Sequence, residues 1–271
     1  MCLILIASQV HPEYPLIVAA NRDEFYHRPT APLSFWQDHP EVLAGKDLQG
    51  SGTWLGVSKT GRVAAVTNYR DFTMDQPNAL SRGLLASHFL MGSQSPEFYI
   101  DRVRISGNLY NGFNLIVGDV NCLWWFSNVN NASLKLEPGI HGISNHLLNT
   151  PWPKLEKAAA MLSDIMNRDR QIDPENIFSM LADTSFPPDQ RLPDTGVGKA
   201  WEKMLSPIFV TSDVYGTRSS SVILYHHSGL LSFLERTFKT PSPAPTPLET
   251  KQVDTWIEKF TNSGVRGQEP E

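Results

Sequence analysis

The fold class this sequence predicts is α+β: a layered sandwich of antiparallel strands in one domain. Three observations predict it. Apolar runs of strand length stand at both ends of the first 240 residues, and two helix-patterned segments lie between them. Several of the runs are continuous rather than alternating, which marks strands covered on both faces and hence an interior sheet. Strand blocks flanking a helical block fit one layered core.

Residues 2–8 (CLILIAS) and 15–20 (PLIVAA) are the first two strands, joined by a polar, Pro-containing connection. Residues 52–70 (GTWLGVSKTGRVAAVTNYR) read as a hairpin turning at Ser58-Lys59-Thr60-Gly61. Residues 82–91 suit a helix. FNLIVGD (113–119) and CLWWFSN (122–128) form a second hairpin, and a further strand pair lies near 133–144. Residues 151–169 open with prolines suited to a helix start and repeat Leu155, Ala159, Leu162 and Met166 at helical spacing. Residues 173–184 make a second helix capped by Asp173, with Pro174 in its first turn. An irregular loop spans 186–198. Strands resume at 206–211, 219–227 and 230–238. PSPAPTP (241–247) reads as an extended linker, followed by a short helix and a frayed polar tail to residue 271. The domain is therefore expected over 1–240.

At 271 residues the chain is long enough to bury a substantial core. A net charge of −5 argues against a dedicated nucleic-acid surface. The longest apolar runs fall far short of a membrane span, so no membrane insertion is expected. Two cysteines, Cys2 and Cys122, imply no disulfide framework and point to a reducing, cytoplasmic setting. No metal site is expected, since His226 and His227 are adjacent on a strand and point opposite ways. No Gly-rich phosphate loop is present. The composition does not define an oligomeric state.

Cys2 is the first chemical candidate. Removal of Met1 would leave a thiol and a free α-amine on one residue, a nucleophile with its base attached; the bland alternative is a small core residue opening a strand. ANRDEF (20–25) is the densest polar cluster, placed directly after an apolar strand. Asn68, Asn145 and Arg218 stand at other strand ends. Together these residues make chemical sense. A thiolate attacking a carbonyl needs donors where negative charge develops, which Asn groups supply. The amine needs an acceptor such as Asp23, and a cation such as Arg22 or Arg218 lowers a thiol pKa.

ANRDEFYHRP, with GTWLGV (52–57), TNYR (67–70), SRG (81–83), ISN (143–145) and GTRSSSV (216–222), resembles the NRDE family, also called the transport and Golgi organisation family. The resemblance runs from Cys2 to about residue 225. The family in turn resembles the cysteine branch of the N-terminal-nucleophile hydrolases, which holds bile-salt hydrolase and penicillin V acylase. That likeness implies a four-layer αββα sandwich with the nucleophile opening a central strand. It implies Cys2 as nucleophile, Asp23 holding the amine, Asn68 giving a backbone N–H and Asn145 a side-chain amide to the oxyanion hole, and Arg218 at a strand start. With Asn21 and Arg22 of the motif, these are the candidate catalytic residues. The branch has an Arg three residues before its Asp; here that position is Ala20, and Arg22 stands two residues on, an even displacement that keeps one strand face. The implied activity is hydrolysis or transfer of a linear amide through an acyl-thioester on Cys2, without a cofactor. The alternative is a carrier of haem or an acyl-CoA-like lipid on the same fold, since the family has been linked to haem trafficking and acyl-lipid metabolism. A lipid anchor on Cys2 is a third reading.

Overall fold

A computed structural model describes residues 2–71, 76–238 and 246–257. Met1, most of the Pro-rich stretch and the tail beyond 257 therefore lie outside the described residues, and with them the expected loss of Met1 and the expected fraying.

The first sheet has the order β10 (Gly139–Ile143), β1 (Cys2–Ser8), β2 (Leu16–Phe25), β11 (Tyr215–Tyr225), β12 (Leu230–Phe238), β13 (Pro247–Trp256). The second runs β3 (Thr30–Phe35), β4 (Val42–Asp47), β5 (Leu55–Ser58), β6 (Val63–Asn68), β7 (Phe113–Gly118), β8 (Leu123–Ser127), β9 (Ala132–Lys135). The paired strands in both sheets run antiparallel.

Strand periodicity explains the continuous apolar runs. In β1 and β2, Ile4, Ile6, Val18 and Ala20 face the second sheet and pack with Leu43, Val57, Ile116 and Trp125. Their neighbours Leu3, Leu5, Ile17 and Ala19 face the other way, onto α3 (Pro153–Arg168) and α4 (Pro174–Leu181) through Leu155, Leu162, Ile177 and Phe178. The outer face of the second sheet, including Val42, Ala64 and Val66, packs on α1 (Gly83–Met91) and α2 (Pro96–Ser106) through Leu85, Phe89 and Val103. The result is helices, sheet, sheet, helices. Every residue of β1 is buried, and each large aliphatic side chain withdrawn from water there stabilises by roughly 1.5–3 kcal/mol.

Two expectations are corrected. Residues 206–210 form no strand; only Thr211 makes a lone bridge to Gly216. The backbone there is spent on tertiary bonds, with Phe209 N donating to the Asp183 carbonyl (2.8 Å) and the Ile208 carbonyl accepting from Asn21 Nδ2 (2.9 Å). The segment after the prolines is not a helix but β13, which pairs along β12 from Leu230–Trp256 to Phe238–Pro247. Its Thr, Val and Trp residues favour strand, and β12 offers an edge to pair with. The first sheet therefore continues past residue 240. Strands β3 and β4, helix α2 and α5 (Lys199–Met204) were not foreseen.

Candidate active site

Cys2 heads β1, is 8% exposed, and pairs directly with Arg22 on β2. Directly opposed residues in an antiparallel pair project to the same face, so thiol and guanidinium share the side facing the second sheet. Both line a cavity of about 400 Å³ with Asp23, Trp54 and Asn68. Ala20 lies on that face too, within the inter-sheet core, so the arginine keeps the face the sequence implied. Arg22 stacks on Trp54, 4.3 Å from the ring centroid, and donates to Thr30 Oγ1 (3.1 Å) and Asp47 Oδ2 (3.3 Å). Arg28 Nε donates to the same oxygen at 2.7 Å. Burial pushes the Cys2 thiol up; Asp23 and Glu24 push the same way, and Arg22 opposes them.

Asn21 and Asp23 project to the opposite face of β2. Asn21 Nδ2 donates to the carbonyls of Leu181 (2.8 Å) and Ile208, and its Oδ1 accepts from Ser220 Oγ at 2.6 Å. It thereby ties α4 and the 206–210 loop to the sheet, and it does not line the Cys2 cavity. Asp23 does line it. Its Oδ1 accepts from Thr217 Oγ1 (2.7 Å) and its carbonyl from Tyr215 Oη (2.8 Å). Burial raises the Asp23 carboxyl; the Lys154 charge, the Thr217 hydrogen bond and the Arg70 charge pull it down.

Asn68 ends β6, and Asn145 follows β10 in the left-handed region at φ 61°. Asparagine tolerates that conformation better than most residues, and strain of this kind gathers at functional sites. Arg70 N donates to the Asn145 carbonyl (2.8 Å), and Asn145 Nδ2 donates to the Asn68 carbonyl (3.2 Å). Asn145 is fully buried, with Oδ1 making no hydrogen bond, and it is not among the residues lining the Cys2 cavity; it reaches that cavity only through its bond to Asn68.

The structure does not bring Arg218 to this cavity. It is the extra residue of a β-bulge: Thr217 pairs with Asp23, Ser219 pairs with Arg22, and Arg218 falls between. Its Nη1 donates to the carbonyls of Phe25 (2.9 Å) and Arg28 (3.1 Å).

Sequence reasoning missed the buried polar groups behind Asp23. Arg70 and Glu202 form an ion pair at 2.8 Å with side chains 1% and 3% exposed. Lys154, also buried, donates to the Leu205 carbonyl at 2.9 Å, and burial lowers its ammonium to about 8. Arg70 and Thr217 sat inside motifs already singled out; Lys154 was hidden in a helical pattern. Among the described residues no cluster of His, Cys, Asp or Glu is arranged to hold a metal ion, and no helix is long and apolar enough to cross a membrane.

In structure the chain is similar to the C2A mutant of the conjugated bile acid hydrolase from Clostridium perfringens, with a TM-score of 0.50, 10% identity, and 94% of this chain and 92% of that one covered. The fold is thus an αββα sandwich of two antiparallel sheets, like that of this hydrolase. The chain belongs to the Transport and Golgi organisation 2 family, whose model matches residues 1–240. Relatives include the Transport and Golgi organization 2 homolog of Mus musculus, 34% identical with 87% of this chain and 92% of the relative covered. The Homo sapiens homolog is 36% identical over the same shares.

Proposed function

We propose that this protein is a cysteine amidohydrolase that cleaves a linear amide through an acyl-thioester on Cys2 once Met1 has been removed. One observation carries the reading: the thiol heads a buried central strand, opens into a cavity, lies opposite Arg22, and shares that cavity with Asp23 and Asn68.

The freed α-amine takes the thiol proton as sulfur attacks the amide carbonyl. Asp23 holds the resulting ammonium. The oxyanion is met by the Asn68 N–H and the Asn145 amide, which the bond between the two residues keeps together. The C–N bond then breaks, the departing amine takes the proton from the α-ammonium, and the acyl group stays on sulfur. Water, deprotonated by the amine, attacks the thioester; the acid leaves and the thiol regains its proton. Arg22 favours the thiolate, against the burial that disfavours it.

The carrier reading is less well supported. Haem or an acyl-lipid calls for a mainly apolar pocket, whereas Arg22, Glu24, Arg28, Asp47 and Arg82 line this one. Intact-mass measurement and a panel of chromogenic N-acyl amides test the proposal. A mature chain starting at Cys2, amide turnover by the wild type and its loss in Cys2→Ala are expected. Retained Met1 in active protein, or turnover untouched by Cys2→Ala, refutes it.

A further inference from the structure

A second cavity of about 180 Å³ lies on the far side of the Arg22–Trp54 stack, which walls both cavities. That is roughly six water volumes at about 30 Å³ each. Its polar lining comes from several strands: Arg22 from β2, Thr30 from β3, Arg218 and Ser219 from β11, Glu235 and Thr237 from β12. Leu248 of β13, itself exposed, lies at one side.

Three features mark it as built rather than incidental. Ser219 is 4% exposed, and its hydroxyl, which meets no partner at full hydrogen-bond geometry, lies beside the Glu235 carboxyl and helps to hold it down. Arg218 commits only Nη1 to the Phe25 and Arg28 carbonyls; a guanidinium has five N–H donors, so Nε and Nη2 remain for a ligand. Glu235, 2% exposed, is anchored by the Leu33 amide at 2.7 Å on one carboxyl oxygen.

We propose that this cavity is a binding site for a small oxyanion, of carboxylate, sulfate or phosphate type, held by Arg218, Arg22 and Ser219. The site shares Arg22 with the Cys2 cavity, but the inference does not rest on the Cys2 reaction. The sign of the ligand follows from the charges. The cavity holds one carboxyl and two guanidiniums, of which Arg22 is already paired with Asp47 (3.3 Å), so Arg218 supplies the uncompensated charge. Burial raises the Glu235 carboxyl to about 7, with the Leu33 amide, Arg22, Lys251 and the Ser219 hydroxyl opposing the shift. A carboxyl near half-protonation is a weak counter-ion for a cation, whereas its protonated form offers an anion one more donor.

Inorganic sulfate, whose charge is constant between pH 6 and 8, is the probe, titrated calorimetrically into the full chain. One saturable site is expected in the wild type. Arg218→Gln should weaken it about tenfold or more, the usual scale for a lost charge-assisted bond, with the circular-dichroism melt confirming that the variant is folded. Ser219→Ala should weaken it less. Affinity should fall about tenfold from pH 6 to pH 8 as Glu235 ionises, and Glu235→Gln should bind without that dependence. Absence of saturable binding at pH 6, or binding by folded Arg218→Gln equal to the wild type, overturns the proposal. So does a pH dependence that survives in Glu235→Gln. None of these outcomes bears on amide hydrolysis, which Cys2→Ala tests alone.

Discussion

Breaking the Arg70–Glu202 ion pair should cost a large part of the fold's stability, and a thermodynamic cycle can isolate the reason. The two groups meet at 2.8 Å with almost no solvent contact. Glu202 Oε1 also accepts from Thr195 N (2.7 Å) and Thr195 Oγ1 (2.6 Å), so one carboxylate joins α5, the loop before it and the end of β6. Removing either partner deprives the other of its charge-assisted hydrogen bond in a desolvated place, a loss of about 3–5 kcal/mol. Arg70→Met and Glu202→Met should each fall in that range, lowering the melting temperature by roughly 6–20 °C at about 2–4 °C per kcal/mol. The double variant should lose less than the sum, because neither half of the pair is left behind without the other. Urea unfolding followed by circular dichroism reads this as shifts in midpoint at constant slope. Additive losses, or a Glu202→Met variant within about 1 kcal/mol of wild type, would show that the pair is not coupled and that the desolvation argument fails.

Further predictions concern single groups. Iodoacetamide should label Cys2 slowly at pH 7 and faster as pH rises, because burial raises its thiol; Arg22→Met should slow it further at each pH, read on the Cys2 peptide by mass spectrometry, and unchanged rates would remove Arg22 from thiol activation. Lys154 binds its proton less tightly folded, at about 8, than at its ordinary 10.5. The unfolded chain therefore holds more protons on this group between those values, and the Lys154 contribution to stability should rise across that window by about 3 kcal/mol, against the raised Cys2 and Tyr215 groups, which act the other way. In Lys154→Met the rise should vanish, and a rise of the same size in both proteins refutes the assignment. Asn21→Ala leaves the Leu181 and Ile208 carbonyls without their buried donor; a loss of about 2–4 kcal/mol is expected from denaturant midpoints, and a loss under 1 kcal/mol would mean that those carbonyls find water. Asn145→Ala should lower amide turnover by about 10²–10³-fold with a smaller change in KM if its amide meets the oxyanion; an equal loss in Asn21→Ala would point to a shared packing effect instead.

Much of this architecture was legible because local patterns and tertiary burial agree. Strands β1, β7 and β12 and helices α3 and α4 each carry enough apolar periodicity to be read singly. The failures share a cause. The 206–211 segment is apolar enough for a strand, but its backbone serves Asn21 and Asp183, which lie far away in sequence. The β13 segment has little apolar character, and its conformation is decided by the edge that β12 presents. At the site, Cys2, Arg22, Asp23 and Asn68 were identifiable as motif residues, with Asn145 behind Asn68, and the register explains why Arg22 can share a face with the thiol. Arg218 could not be placed from its motif, because a one-residue bulge redirects it and pattern alone does not reveal a bulge. Asn21 reads as part of a polar cluster but turns to the helices. Lys154 and Glu202 gain their meaning only from folding beside Asp23 and Arg70.

The pairing of β13 along β12 has a practical corollary. Residues matched by the family stop at 240, short of the strand that completes the first sheet. A chain trimmed to that limit would leave the outer hydrogen-bonding groups of β12 without partners, beside the core residues Leu231 and Phe233. Such an edge is a template for intermolecular pairing, so the shortened protein should self-associate, with a higher sedimentation coefficient than the full chain at equal concentration.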